Sequence, residues 1–141
     1  TKEKKEETER LFEYTVELIE STKSPVILAG DFNLEADDKI WLDAYKKFIL
    51  GNNLTMDCDL DLIPKDKNGV HLGTFLGEVP VEDLGKVNTR KNQDINIDRI
   101  CVVNDPYNEL LLKILSMLPV HDRNYSDHAP VIAEIEILYK K

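Results

Sequence analysis

Val26-Ile27-Leu28-Ala29-Gly30-Asp31-Phe32-Asn33 is an apolar run that ends abruptly in an acid and, two residues on, an amide. Pro25 bounds its start, and the run is too short for a helix, so it reads as a strand covered on both faces. Side chains alternate in extended chain, so Asp31 and Asn33 are expected to point the same way. A carboxylate and an amide at a strand's carboxyl end, with Gly30 letting backbone pass close by, occupy the position where α/β sheets keep their sites. On turn statistics alone, the stronger reading is a strand capped by an Asx turn, which Asp and Asn both favour.

Two later segments change that balance. Asn96-Ile97-Asp98-Arg99-Ile100-Cys101-Val102-Val103 is another β-branched run, interrupted by a charged pair where a core strand should be apolar. Tyr125-Ser126-Asp127-His128-Ala129-Pro130-Val131 sets an acid beside an imidazole just before a last strand, Val131 to Leu138. Taken singly, Asp98-Arg99 reads as a surface ion pair and Asp127-His128 as a polar loop. Three strand ends that together supply Asp, Asn, Asp, Asp and His call for a common explanation.

Gly-Asp-Phe-Asn at 30 to 33, Asp-Arg-Ile at 98 to 100 and Ser-Asp-His-Ala-Pro-Val at 126 to 131 together resemble the endonuclease/exonuclease/phosphatase superfamily. This is the fold of pancreatic deoxyribonuclease, abasic-site endonucleases, sphingomyelinases and inositol-phosphate phosphatases, and the order and wide spacing of the motifs agree with it. The resemblance implies an α/β fold, half of a four-layer α/β sandwich with a mixed sheet and covering helices. Members carry a metal-binding Glu, an early Asn and a second His in a first β/α half, and nothing upstream of Asp31 matches these. Residues 1–141 are therefore expected to be the C-terminal half of a catalytic domain, with the N-terminal half of that domain as partner and little activity alone.

The implied chemistry is hydrolysis of a phosphoester, with phosphodiester cleavage by a nuclease or relative as first choice. It needs a nucleophilic water, neutralised phosphoryl oxygens and a stabilised leaving oxygen; a hard cation, Mg²⁺ or alternatively Mn²⁺, supplies part of this. By resemblance His128 takes a proton from the attacking water, and Asp98 holds its ring in the working tautomer. Asp127 would bind the metal, Asp31 would orient the water or assist the leaving oxygen, and Asn33 would donate to a phosphoryl oxygen. Arg99 stands where many relatives have Tyr and is a candidate phosphate contact. Phosphatase and sphingomyelinase activities stay open, although the Pro-rich signature of inositol phosphatases is missing around Asp98. The reading from a different class is a non-catalytic binding or scaffold domain that kept the fold.

The chain has a net charge of −9, which argues against a broad nucleic-acid-binding surface and mildly favours small phosphate substrates over duplex DNA. A hydrophobic content of 42% can fill a core. No apolar run approaches a membrane span, and localisation stays open. Cys58 and Cys101 are too few for a disulfide framework, and Cys101, in a core strand, is expected to be a buried free thiol. Two glycosylation-like triplets, at Asn53 and Asn124, read as chance matches.

Lys2 to Ser21 is expected to be a helix, with Leu11, Phe12, Thr15, Val16 and Ile19 on one face. Asp37 or Asp38 caps a second helix to about Ile49, which Gly51 ends. Asn52 to Val70 is loop-rich, and its Asp57, Asp59 and Asp61 fail the calcium-loop pattern because Leu62 and Asn68 stand at its Gly and Glu positions. Val70 to Gly77 reads as a strand carrying His71 and the Thr74-Phe75 pair, which in relatives borders the substrate groove. Glu78 to Asp94 is a long polar loop holding Lys86, Arg90 and Lys91, a candidate substrate-binding element. Tyr107 to Met117 reads as a helix, followed by a loop that places His121 and Arg123 in solvent.

Overall fold

The computed structural model describes residues 1–140. Helix α1 (Lys2–Thr22) opens with the Thr1 hydroxyl accepting from Lys4 N and closes with Lys23 in the left-handed region at φ 55°. It buries Thr8, Phe12, Thr15, Val16 and Ile19, the stripe expected from its 3.6-residue period except that Thr8 joins it and Leu11 is only half-buried. Strand β1 (Val26–Asp31) follows. Helix α2 (Lys39–Ala44) is capped by the Asp38 carboxylate, which accepts from Ile40 N at 2.8 Å. It runs on through a π-turn at Tyr45–Ile49 and a 3₁₀ turn at Leu50–Asn52, so Gly51 lies inside the helical stretch and Asn53, at φ 57°, ends it.

Strand β3 (Asp98–Asn104) is the centre of a three-stranded sheet in the order β1-β3-β2, where β2 is the short segment Thr55–Asp57. A second sheet pairs β4 (Leu110–Pro119) with β5 (Val131–Tyr139). All these pairings are antiparallel, in place of the mixed sheet expected. The Asn104 carboxamide joins the sheets as a backbone group would, accepting from Leu112 N at 2.8 Å and donating to Leu112 O at 2.9 Å.

Alternation along β3 divides the core. Cys101 and Val103 face α1 and α2, packing with Phe12, Ile19, Leu28 and Trp41. Val102 and Ile100 face the other way, toward Ile63, Ile114, Met117 and Val131. On that second side Ile27 is 49% exposed, so apolar surface continues beyond the core.

The expected helix at Tyr107 to Met117 is instead mostly strand β4. A β-bulge explains the misreading: Ile114 pairs with Ile135 and Ser116 with Glu134, which leaves Leu115 without an opposite residue. The two buried side chains around it, Ile114 and Met117, therefore fall three residues apart, the spacing of a helix face. Val70 to Gly77 does not form a continuous strand; it makes isolated bridges at Lys65–His71 and Phe75–His128. The free-thiol expectation is also corrected, because Cys58 and Cys101 form a disulfide across β2 and β3. The register explains it: Asp57 lies opposite Val102, so the next residue along, Cys58, faces Cys101. Among the described residues no helix is long and apolar enough to cross a membrane.

Candidate active site

The β1–β3 register sets Asp31 directly opposite Asp98, and both side chains rise from the sheet face that carries Ile27, Ala29 and Ile100. His128, just ahead of β5, reaches the same point: its Nδ1 donates to Asp98 Oδ2 at 2.6 Å. Its Nε2 then points outward, 3.9 Å from Asp31 Oδ2 and 4.0 Å from Asp127 Oδ1. Three sequence segments far apart in the chain thus converge on one imidazole. The Asp98 hydrogen bond is the main cause that raises the His128 pKa above its usual 6.5; partial burial opposes it, and the charges of Asp98, Asp127 and Asp31 add to it.

A potential ligand atom from each of Asp31, Asp98 and His128 lies within 4.8 Å of the others, a spacing that fits one cation. Each of the three nearby carboxylates has one oxygen engaged: Asp98 Oδ2 with His128 Nδ1, Asp31 Oδ1 with the Asn33 N–H and Asp127 Oδ1 with the Ser126 hydroxyl. Asp127 is half exposed, and its Oδ1 accepts from the Ser126 hydroxyl at 3.1 Å.

Asn33 departs from the expected alternation. The sheet ends at Asp31, and Asn33 turns into the left-handed region at φ 53° while its backbone N–H donates to Asp31 Oδ1 at 2.9 Å. This is the Asx turn that competes with a strand continuation. The bond fixes the Asp31 carboxylate and leaves Asn33 exposed, lining with Asp31 a cavity of about 470 Å³ against the first turns of α1.

Arg99 is not placed to meet a phosphate. It is 1% exposed, because alternation turns it to the helix side of β3, opposite in direction to Asp98. Its guanidinium stacks 4.1 Å above Trp41 and 5.2 Å from Phe32 and donates to the carbonyls of Leu34 and Asn96. Desolvation lowers its pKa to about 10. A flat, weakly hydrated guanidinium tolerates such stacking better than an ammonium.

Thr74, named above with Phe75 from the resemblance, supports the site through its bonds to the backbone. Its buried hydroxyl accepts from the N–H groups of Ile97 and Asp98, each at 3.1 Å, and its carbonyl accepts from Ala129 N at 2.7 Å. One residue therefore fixes the backbone on both sides of the Asp98–His128 bond. Phe75 adds an edge contact to the imidazole at 5.4 Å. The available signal was Gly73, where a Cβ would meet Ile95 N at 2.7 Å, a close approach that marks this segment as packed against the 95–98 chain. His71 and His121 lie elsewhere, half-buried and bonded to the carbonyls of Ile63 at 2.7 Å and Gly73 at 2.6 Å. Asn124 is buried, which closes its glycosylation triplet.

No protein-family model and no curated protein matches the sequence. Among solved structures, the chain is similar to a mannosyl-6-phosphatase of Bacteroides thetaiotaomicron VPI-5482, with a TM-score of 0.62 and 21% identity. The match covers 99% of this chain and 47% of that one, so this chain spans about half the length of the phosphatase. At that identity the likeness establishes a shared mixed α/β fold.

Proposed function

We propose that this chain carries the histidine–aspartate centre of a metal-dependent phosphoester hydrolase. The observation that carries the reading is the convergence of Asp31, Asp98 and Asp127 on His128, with Nδ1 tied to Asp98 and Nε2 directed toward the other two carboxylates. A base needs a fixed tautomer with its free nitrogen facing the substrate, and this arrangement supplies both. Asp98 holds the ring, and His128 Nε2 removes a proton from the attacking water. Asp31 and Asp127 would hold Mg²⁺ or Mn²⁺, which when bound supplies charge neutralisation for the phosphoryl oxygens. Asn33, exposed beside Asp31, is the donor closest in sequence for a phosphoryl oxygen.

The preferred substrate is a phosphomonoester of a small polar molecule, ahead of the phosphodiester first expected. The structural neighbour is a sugar phosphatase by name, and a net charge of −9 is unfavourable for holding nucleic acid. Residues 1–141 form the C-terminal half of the catalytic domain in this reading, one side of a deoxyribonuclease-like four-layer sandwich. The exposed Ile27 on this face would suit packing against the other half of such a domain.

The test is hydrolysis of mannose 6-phosphate, p-nitrophenyl phosphate and bis-p-nitrophenyl phosphate by the natural full-length protein with Mg²⁺ or Mn²⁺. Turnover of a monoester, abolished by His128→Ala and by chelation, is expected. Binding of these esters without turnover in any condition would favour the scaffold reading.

A further inference from the structure

The loop that presents Asp127 and His128 is held to the 74–77 segment by two backbone bonds, Leu76 N to Asp127 O at 2.6 Å and Ala129 N to Thr74 O at 2.7 Å. Neither involves Ser126, although its hydroxyl donates to Asp127 Oδ1 at 3.1 Å and accepts from His128 N at 3.2 Å. The Ser126 carbonyl is instead held by Arg90. One guanidinium nitrogen, Nη1, donates both to Ser126 O at 3.0 Å and to Gly77 O at 2.7 Å. Nε donates to the Asn88 carboxamide at 3.0 Å, which sets the side chain's direction. Arg90 forms no ion pair with an acid among the described residues, so its charge is directed at these two carbonyls. Charge-assisted bonds from a planar donor are stronger and more directional than neutral ones.

We propose that Arg90 is a positioning residue for the candidate site, clamping Gly77 to Ser126 and so fixing the turn from which Asp127 and His128 project. It touches neither the imidazole nor any of the three carboxylates around it. It acts on their backbone from the long polar loop at Glu78 to Asp94, which gives that loop a role in the site's geometry. The kinetic part of the inference rests on the phosphoesterase reading; the structural part does not.

The test compares Arg90→Ala, Arg90→Lys and Arg123→Ala in the natural full-length protein. Arg123 is the control, since it donates to Gly85 O at 3.2 Å in the same loop pair without reaching Ser126. For Arg90→Ala, kcat on p-nitrophenyl phosphate is expected to fall about 10²-fold with KM unchanged, the scale of a small misplacement of reacting groups. The His128 imidazole signals in proton–nitrogen correlation spectra at fixed pH should also move. Arg90→Lys should recover most of both effects, and Arg123→Ala should leave both alone. Unmoved His128 signals and unchanged kcat in a folded Arg90→Ala protein would overturn the proposal. So would equal losses in the Ala and Lys variants accompanied only by a lower melting temperature. If Arg90→Ala does not fold, Arg90→Gln, which keeps donors without charge, is read by the same criteria. Displaced His128 signals in a protein whose wild type hydrolyses none of the esters would sustain the clamp and remove the phosphoesterase reading.

Discussion

In the proposed reaction His128 acts as a base only when neutral, and its Asp98 partner favours the charged ring. The proposed phosphoesterase activity of the full-length protein should therefore rise with pH through a pKa above 6.5. Asp98→Asn removes the largest cause of that elevation. It should shift the rising limb of the pH–rate profile to lower pH and lower the plateau about 10²-fold or more, because the ring loses its enforced tautomer. Stability runs the other way. The raised pKa means that the folded state holds the proton more tightly, so this contribution is fully present below pH 6.5 and is lost as pH rises through the folded value. Arg99 offers a contrasting single-residue test. Arg99→Lys should lower stability by about 2 kcal/mol, through lost stacking on Trp41 and lost carbonyl bonds, while leaving kcat/KM of the folded protein unchanged. A rise in KM without a fall in melting temperature would return Arg99 to the phosphate. The division between Asp98 and Arg99 was legible in principle, since a two-residue period sends neighbours to opposite faces. What the motif hid was which face held the helices.

At the scale of elements, the apolar runs within 26–33 and 96–103 read as strands from their β-branched content, and strands form there at Val26–Asp31 and Asp98–Asn104. The β4 run does not read as one, because its bulge at Leu115 gives strand residues a helical spacing. The short β2 left no periodic trace, and with it went the disulfide, which only the β2–β3 register brings into reach. Asn33 failed for a similar reason: sequence cannot say at which residue a strand stops alternating, and here the Asp31 carboxylate itself ends it. The Cys58–Cys101 bond is open to direct measurement. The intact protein should resist alkylation under denaturing conditions and take up two labels only after reduction. Because the bridge spans 43 residues, Cys101→Ser should cost about 4 kcal/mol by loop-closure entropy. Alkylation of both thiols without reductant would show the bond to be absent.

At the scale of the whole molecule, the side chains named from the motifs do converge, while their surroundings were left to be found. Asp31, Asp98, Asp127 and His128 came from motif positions, whereas Thr74 and Arg90 depend on how separate loops cross, which no local pattern records. The cross-strand placement of Asp31 against Asp98 has a consequence for the fold itself. Two carboxylates set opposite each other on neighbouring strands repel, which weakens the end of the sheet that carries them. A cation held beside Asp31 in the proposed site would screen that repulsion and, binding the native state alone, would stabilise it. The melting temperature of the full-length protein should then climb with Mg²⁺ or Mn²⁺, by an amount equivalent to about 2.7 kcal/mol at a hundred times the dissociation constant. Asp31→Asn should melt higher than the wild type without metal and respond less to it; equal responses from the two proteins would place the ion elsewhere. The sheet thereby becomes its own reporter: simple heating can rank ions and phosphate-bearing compounds as ligands before any reaction has been identified.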